Sequence, residues 1–333
     1  MNDRSQKQIY GKNMRILSGI QPTGAPHLGN YFAMMKPAIE LQNQGEAFLF
    51  IADYHTLTTT PNHNTLRKQI TELAADFLAC GLNPEKAIFF RQSDVPELTE
   101  LTWILSCITP VGLLERCHSY KDKVANGIAP NCGLFFYPVL MSADILMYKS
   151  NIVPVGKDQK QHVEVARDIA IKFNNIYGET FPLPEPQIKE NVATISGTDG
   201  RKMSKSYGNT IPLFGNENQI KKLFMKIVTD SKTPEESKDP DSCSIFALYK
   251  LFANERQIEE MAARYRAGGL MYGTAKQELF EMYKVHFTPL REKREELVAD
   301  PQYIESILRN GAEKAAITAK KTMEEVKEKV GLR

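Results

Sequence analysis

Two stretches far apart in the chain hold residue types suited to phosphate. The first, Ser18-Gly19-Ile20-Gln21-Pro22-Thr23-Gly24-Ala25-Pro26-His27-Leu28-Gly29-Asn30, is a turn rich in glycine and proline that follows an apolar run. Beyond a strand's carboxyl end, glycines let the backbone approach phosphate, and a following helix N-terminus offers unpaired N–H groups. It matches neither G-x-G-x-x-G nor a Walker A loop. Alone, it would read as an ordinary loop. The second stretch is Lys202-Met203-Ser204-Lys205-Ser206, preceded by Gly200-Arg201. From Arg201 to Lys226 there are six basic residues and one acidic residue, Glu217. Lysines on a mobile loop can close over a transferring phosphate and neutralise its developing charge. A solvated basic loop has the same composition.

Two further stretches could handle a smaller ligand. Tyr137, Met141 and Asp144 stand at i, i+4 and i+7 in Tyr137-Pro138-Val139-Leu140-Met141-Ser142-Ala143-Asp144-Ile145-Leu146, so a helix puts them on one face. A carboxylate in so apolar a helix needs a partner, either a ligand donor or a neighbour such as Lys149. Val153-Pro154-Val155-Gly156-Lys157-Asp158-Gln159-Lys160-Gln161-His162 reads as a strand turning into a helix, with Asp158 suited to cap it.

Short apolar runs alternating with helical periodicity predict the elements that position these groups. Strands are expected at Arg15 to Ile20, Ala47 to Ala52, Ala87 to Arg91 and Ile152 to Val155, and helices at Thr65 to Cys80, Pro138 to Tyr148 and Asp158 to Tyr177. This is an α/β pattern, a doubly wound parallel sheet. After about residue 210 only helices are expected, at Asn218 to Thr229, Ser244 to Phe252, Glu255 to Arg266, Lys276 to Val298 and Pro301 to Val330. Residues 1–13 read as an N-terminal extension, 14–210 as the sheet domain and 211–333 as an all-helical C-terminal domain. The last stretch, Arg291 to Arg333, mixes ten basic with nine acidic residues, which suits a solvated surface as well as an RNA-binding face.

Composition limits the classes of function. With 333 residues, 42% of them apolar, the chain can bury a large core. The net charge of +2, from 42 basic and 40 acidic residues, gives no overall pull toward nucleic acid or membrane. Five scattered cysteines, Cys80, Cys107, Cys117, Cys132 and Cys243, form no C-x-x-C pair and read as reduced thiols. A polar N-terminus and the lack of a run of about 18 apolar residues point away from secretion and membrane insertion. A cytoplasmic protein is expected.

Taken together, the two phosphate-type stretches resemble the signature of the class I aminoacyl-tRNA synthetases. His27-Leu28-Gly29-Asn30 stands at the family's HIGH sequence and Lys202 to Ser206 is its KMSKS. Asn30 replaces the last histidine, as tryptophanyl members commonly do. The stretch from Tyr137 resembles tyrosyl members closely, but Met141 stands where they carry the glutamine that satisfies a phenol hydroxyl. A thioether suits an indole face and offers a hydroxyl little. Residues 153–162 match the tryptophanyl branch nearly throughout, with Lys157 in place of an expected glutamate. The resemblance covers residues 14–230 well and the helical part more loosely.

The resemblance implies a Rossmann-like fold and ATP-dependent activation of L-tryptophan, followed by transfer to tRNA(Trp). It implies catalytic roles for His27, Asn30, Lys202, Lys205 and Lys123, the last within Glu115-Arg116-Cys117-His118-Ser119-Tyr120-Lys121-Asp122-Lys123. ATP is expected on Gln21, Pro22, Thr23, Gly29, Asn30, Gly156, Lys157, Asp158, Ile195 and Lys202 to Ser206, including Met203 and Ser204, with Ile195 near adenine. Tryptophan is expected on Asp144, Tyr137, Met141, Gln159, Gly19 and His55, with the indole N–H donating to Asp144; a core histidine is the other reading of His55. Mg²⁺ would travel with ATP, without a dedicated protein site. The helical domain would read the anticodon end, and a homodimer would pair through residues 95–140. A tyrosyl enzyme, a small nucleotidyltransferase and a non-catalytic tryptophan or RNA binder are the rival readings, opposed by Met141, by the KMSKS stretch with its helical domain, and by the completeness of both ATP motifs.

Overall fold

Short apolar runs become the strands of one sheet: β1 (Arg15–Ile20), β2 (Glu46–Ile51), β3 (Ala87–Arg91), β4 (Ile152–Pro154) and β5 (Glu185–Gln187). All run parallel, in the order β3-β2-β1-β4-β5. The computed structural model describes residues 14–59, 62–117, 127, 131–156, 159–187 and 195–333. The order reverses at β1, which has β2 on one side and β4 on the other, and such a switch point opens a crevice at the strands' carboxyl ends. The Rossmann-like α/β expectation is met. β5 was not foreseen: it has three residues, includes Pro186, and lies at the sheet edge, where a missing N–H is tolerated.

Contacts group the described residues into two units, one of 14–23, 38–187 and 300–333, the other of 24–37 and 195–299. The first holds the sheet with α1 (His63–Ala79), α2 (Glu97–Ile108), α3 (Cys132–Met147), α4 (Lys160–Tyr177) and the final helix, here α9 (Pro301–Lys329). α1 starts two residues before the expected Thr65, because the side chain of Asn62 caps the amides of Asn64 and Thr65. α3 likewise starts before Pro138, capped by Asn131 on Leu134 N. Phe48, fully buried in β2, stacks on Tyr148 just past α3 with ring centroids 4.7 Å apart.

These units depart from a division at residue 210. α9 carries Ile304, Leu308, Ala312, Ala315, Ala319, Met323 and Val326 on one buried stripe. The stripe packs against β3, and its small residues permit a very close approach. A Cβ on Gly311 would overlap the backbone oxygen of Phe89. Ion pairs Lys149–Glu325 and Lys327–Glu100, both 2.6 Å, and Arg91–Glu305 at 2.9 Å border this contact.

The second unit comprises the His27 turn, the Lys202 stretch, α5 (Glu217–Met225), α6 (Ser244–Tyr249), α7 (Glu255–Ala267) and α8 (Tyr272–Ala299). Its core is aromatic, with Phe224, Tyr265, Phe280, Tyr283 and Phe287 buried. No described helix is long and apolar enough to cross a membrane.

Gly311→Ala gains helix propensity but forces α9 off β3. We expect a net loss of about 1–3 kcal/mol in urea unfolding, typical of overpacking. Unchanged or increased stability would contradict this account of the α9 contact.

Candidate active site

In the first unit the carboxyl ends of β2 and β3 and the last turn of α3 converge on Asp144, which is 3% exposed. Both its oxygens have partners. His55 Nε2 lies 2.8 Å from Oδ2, and Gln92 Nε2 donates to Oδ1 at 2.7 Å. Lys149, the alternative partner, pairs with Glu325 instead. Burial raises the Asp144 pKa, and the hydrogen bond and charge of His55 and the bond from Gln92 oppose that rise. His55 is thus a buried histidine committed to a carboxylate. Tyr137 OH lies 2.8 Å from His162 Nε2, and its ring meets that of His55 edge-on at 6.3 Å. Met141 is partly buried one turn before Asp144, so the expected Tyr137, Met141, Asp144 face exists.

Gln92 was not singled out from the sequence. It directly follows β3, at the carboxyl edge where ligands bind, and that position was the available signal. Its Oε1 accepts the Tyr54 amide at 3.1 Å, so one carboxamide links the end of β2 to α3. Asp53 adds a second link, accepting the Tyr54 amide at 3.0 Å and the Ser93 amide at 3.1 Å. Burial raises its pKa, and its bonds from Ser93 oppose the rise. Gly19, next to last in β1, has no room for a side chain because the Phe50 ring fills the space of a Cβ. Gln21 and Thr23 are exposed and Pro22 buried, with Thr23 N closing a turn onto Gln21 O at 2.9 Å. Gly156 is exposed, and Gln159 donates its amide to Gly156 O before α4. Lys123, Lys157 and Asp158 lie outside the described residues.

The second unit brings the two phosphate-type stretches together through backbone pairing. Leu28 N donates to Ile211 O at 2.9 Å and Leu213 N to Pro26 O at 3.0 Å, so Pro26–Leu28 runs antiparallel to Ile211–Leu213. His27 then caps a short helix: its Nδ1 accepts the Asn30 amide, and Asn30 Oδ1 accepts the His27 amide, both at 3.2 Å. The Gly29 amide donates to Met203 Sδ at 3.3 Å. The amides of Gly29 and Asn30, expected on the nucleotide, are therefore engaged inside the protein. Met203 is buried, as is Ile195, whose carbonyl accepts the Met203 amide at 2.8 Å. Lys202, Lys205 and Ser206 are exposed, with Ser204 and Ser206 hydroxyls 2.8 Å apart.

Burial, then the charge of Lys205, lowers the His27 pKa to about 4. Partial burial lowers that of Lys205. With Nδ1 accepting an N–H, a neutral His27 carries its proton on Nε2, a donor without net charge. Among the described residues no cluster of His, Cys, Asp and Glu is arranged to hold a metal ion.

A profile of the tRNA synthetases class I (W and Y) matches residues 10–288. The chain is 52% identical over 320 residues to a tryptophan–tRNA ligase of Rhodopirellula baltica, covering 96% of this chain and 100% of that one. It is 50% identical over 319 residues to the tryptophan–tRNA ligase of Campylobacter jejuni, with the same coverage. The crystal structure of tryptophanyl-tRNA synthetase from Campylobacter jejuni complexed with ADP and tryptophan matches at a TM-score of 0.91 and 50% identity, over 96% of this chain and 100% of that one. That from Mycoplasma pneumoniae matches at 0.81 and 29% identity, over 96% and 98%.

A depressed pKa at His27 means that the unfolded chain binds the proton first as pH falls. The stability contributed by neutral His27 is full above its ordinary 6.5 and is lost as pH falls toward 4. In an NMR titration the His27 imidazole should stay neutral down to about pH 5. A midpoint near the ordinary histidine value would contradict its burial beside Lys205.

Proposed function

The chain belongs to the class I tRNA synthetases of tryptophan and tyrosine, and from that premise we propose how its residues activate L-tryptophan and charge tRNA(Trp). It forms tryptophanyl-adenylate from tryptophan and ATP, releases pyrophosphate, then transfers the tryptophanyl group to tRNA and releases AMP.

The observation that carries the choice of amino acid is Asp144, a buried acceptor with partly buried Met141 one turn before it. A carboxylate has about four acceptor positions, and His55 and Gln92 use two of them. An indole N–H takes another. Gln159, Tyr137 and Gly19 complete the tryptophan set in this reading.

In the first step a tryptophan carboxylate oxygen attacks the α-phosphorus, and the bond to the β-phosphate oxygen breaks. The nucleophile is already ionised, so positioning and charge stabilisation supply the catalysis. His27 donates through Nε2 without contributing a charge that pH could remove. Lys202 and Lys205 neutralise charge developing on the phosphates. Mg²⁺ arrives as part of the ATP complex. With its oxygen capping His27, Asn30 offers its NH₂ group to the nucleotide. Gln21 to Thr23, Gly156 and Ile195 line the nucleotide in this reading, as do Lys157, Asp158 and Lys123. In the second step the 3′-terminal ribose hydroxyl of tRNA attacks the tryptophanyl carbonyl and AMP leaves.

The helices after residue 210 read the anticodon end of tRNA. The enzyme pairs as a homodimer through residues 95–140, where Trp103 is 71% exposed, unusual for so large an apolar side chain. Free cysteines, two of them exposed, suit the reducing cytoplasm.

Exchange of labelled pyrophosphate into ATP tests this directly. Tryptophan should support it, tyrosine should not, and Asp144→Ala should lower kcat/KM for tryptophan about 10- to 100-fold, as for a hydrogen bond to a charged group. Exchange with tyrosine would overturn the specificity, and none with either substrate would favour the non-catalytic reading.

A further inference from the structure

Lys202 and Lys205 can act on phosphate only if the backbone between them holds one shape, and one side chain outside the KMSKS stretch grips that backbone. Asn209 is 2% exposed. Its Oδ1 accepts the Ser204 amide at 2.8 Å, and its Nδ2 donates to the Lys202 carbonyl at 3.0 Å. The carboxamide thus pairs with both sides of Met203, as a neighbouring strand would. Asn209 Nδ2 also donates to Asp199 Oδ1 at 2.7 Å, and its own carbonyl accepts the Thr198 amide at 2.9 Å. Asp199 in turn binds the Arg201 side chain, with Nε at 2.7 Å. Every polar atom of the Asn209 side chain is therefore used on the loop that carries the two lysines.

Gly197 reserves the space for this arrangement. A Cβ there would overlap the Asn209 carboxamide and stand 2.7 Å from the Asn209 carbonyl oxygen. Across the hairpin, Gly197 N donates to Arg201 O at 2.7 Å and Met203 N to Ile195 O at 2.8 Å, so the loop closes around Asn209. Held this way, Met203 turns its sulfur to the Gly29 amide.

We propose that Asn209, seated against Gly197, is a positioning residue that sets the backbone of Lys202 to Ser204 and so places both lysines for phosphoryl transfer. The proposal rests on the reading of Lys202 and Lys205 as phosphate ligands. It assigns Asn209 no contact with substrate. Asn209→Asp keeps the acceptor for Ser204 but loses the donor to Lys202 and sets a second carboxylate against Asp199. It should therefore resemble Asn209→Ala and not the native enzyme.

The test is pyrophosphate exchange by the full-length enzyme, with kcat corrected by titration of active sites. Asn209→Ala, Asn209→Asp and Gly197→Ala should each lower kcat by about 10- to 100-fold, as small misplacements of catalytic groups do. KM for tryptophan should stay within about threefold of the native value, since the tryptophan groups lie on other elements. In a Lys202→Ala/Lys205→Ala background the same substitutions should cost less than about threefold more, because the groups they position are gone. A full additional loss in that background would show that Asn209 does not act through the lysines and would overturn the proposal. So would native kcat in all three single variants. Native activation by the variant lacking both lysines would overturn the reading of the loop, and the proposal with it.

Discussion

A carboxylate removed from water must be compensated, and Asp144 is buried in a helix of almost wholly apolar residues. That one requirement organises the first unit. It draws His55 from the turn after β2 and Gln92 from the turn after β3 onto the last turn of α3. Asp53 and the second half of the Gln92 carboxamide then tie the two turns to each other through the amides of Tyr54 and Ser93. Removing either donor would leave a buried acceptor partly unpaired, which typically costs more than the bond itself contributes. The polar groups are thus fixed before any ligand arrives, and an incoming donor finds an acceptor already oriented.

In the proposed reading the second unit answers a different problem, presenting positive charge to phosphate without a costly buried cation. Its histidine is kept neutral by burial and by Lys205, and its lysines stay at the surface. Shape comes from the backbone. Antiparallel pairing of Pro26–Leu28 with Ile211–Leu213 sets the His27 turn beside the lysine loop, and the Gly29 amide to Met203 sulfur contact joins them again. Electrostatic catalysis of this kind depends on groups that need not reorganise during the reaction.

Four of the five strands and most of the helices could be read from the sequence because apolar period and turn residues are local signals. The face made by Tyr137, Met141 and Asp144 follows from helix geometry alone. The partners of Asp144 could not be read this way, since His55 and Gln92 lie 89 and 52 residues away and only strand order brings them close. The same holds for α9. Its helical pattern was plain, but its place on β3 depends on small residues such as Gly311 meeting a strand more than 200 residues earlier. Asn209 gave no signal as a single polar residue in a loop, and Asn30 was expected on nucleotide before its capping role was visible.

The central claim is that Asp144 selects tryptophan by accepting the indole N–H. Isothermal titration with tryptophan and with its analogue bearing sulfur in place of the indole N–H measures that bond directly. The account predicts that the native protein binds the analogue about 10- to 100-fold more weakly, the range for a hydrogen bond to a charged group, and that Asp144→Ala binds both alike. Equal affinity of the native protein for the two ligands would contradict it.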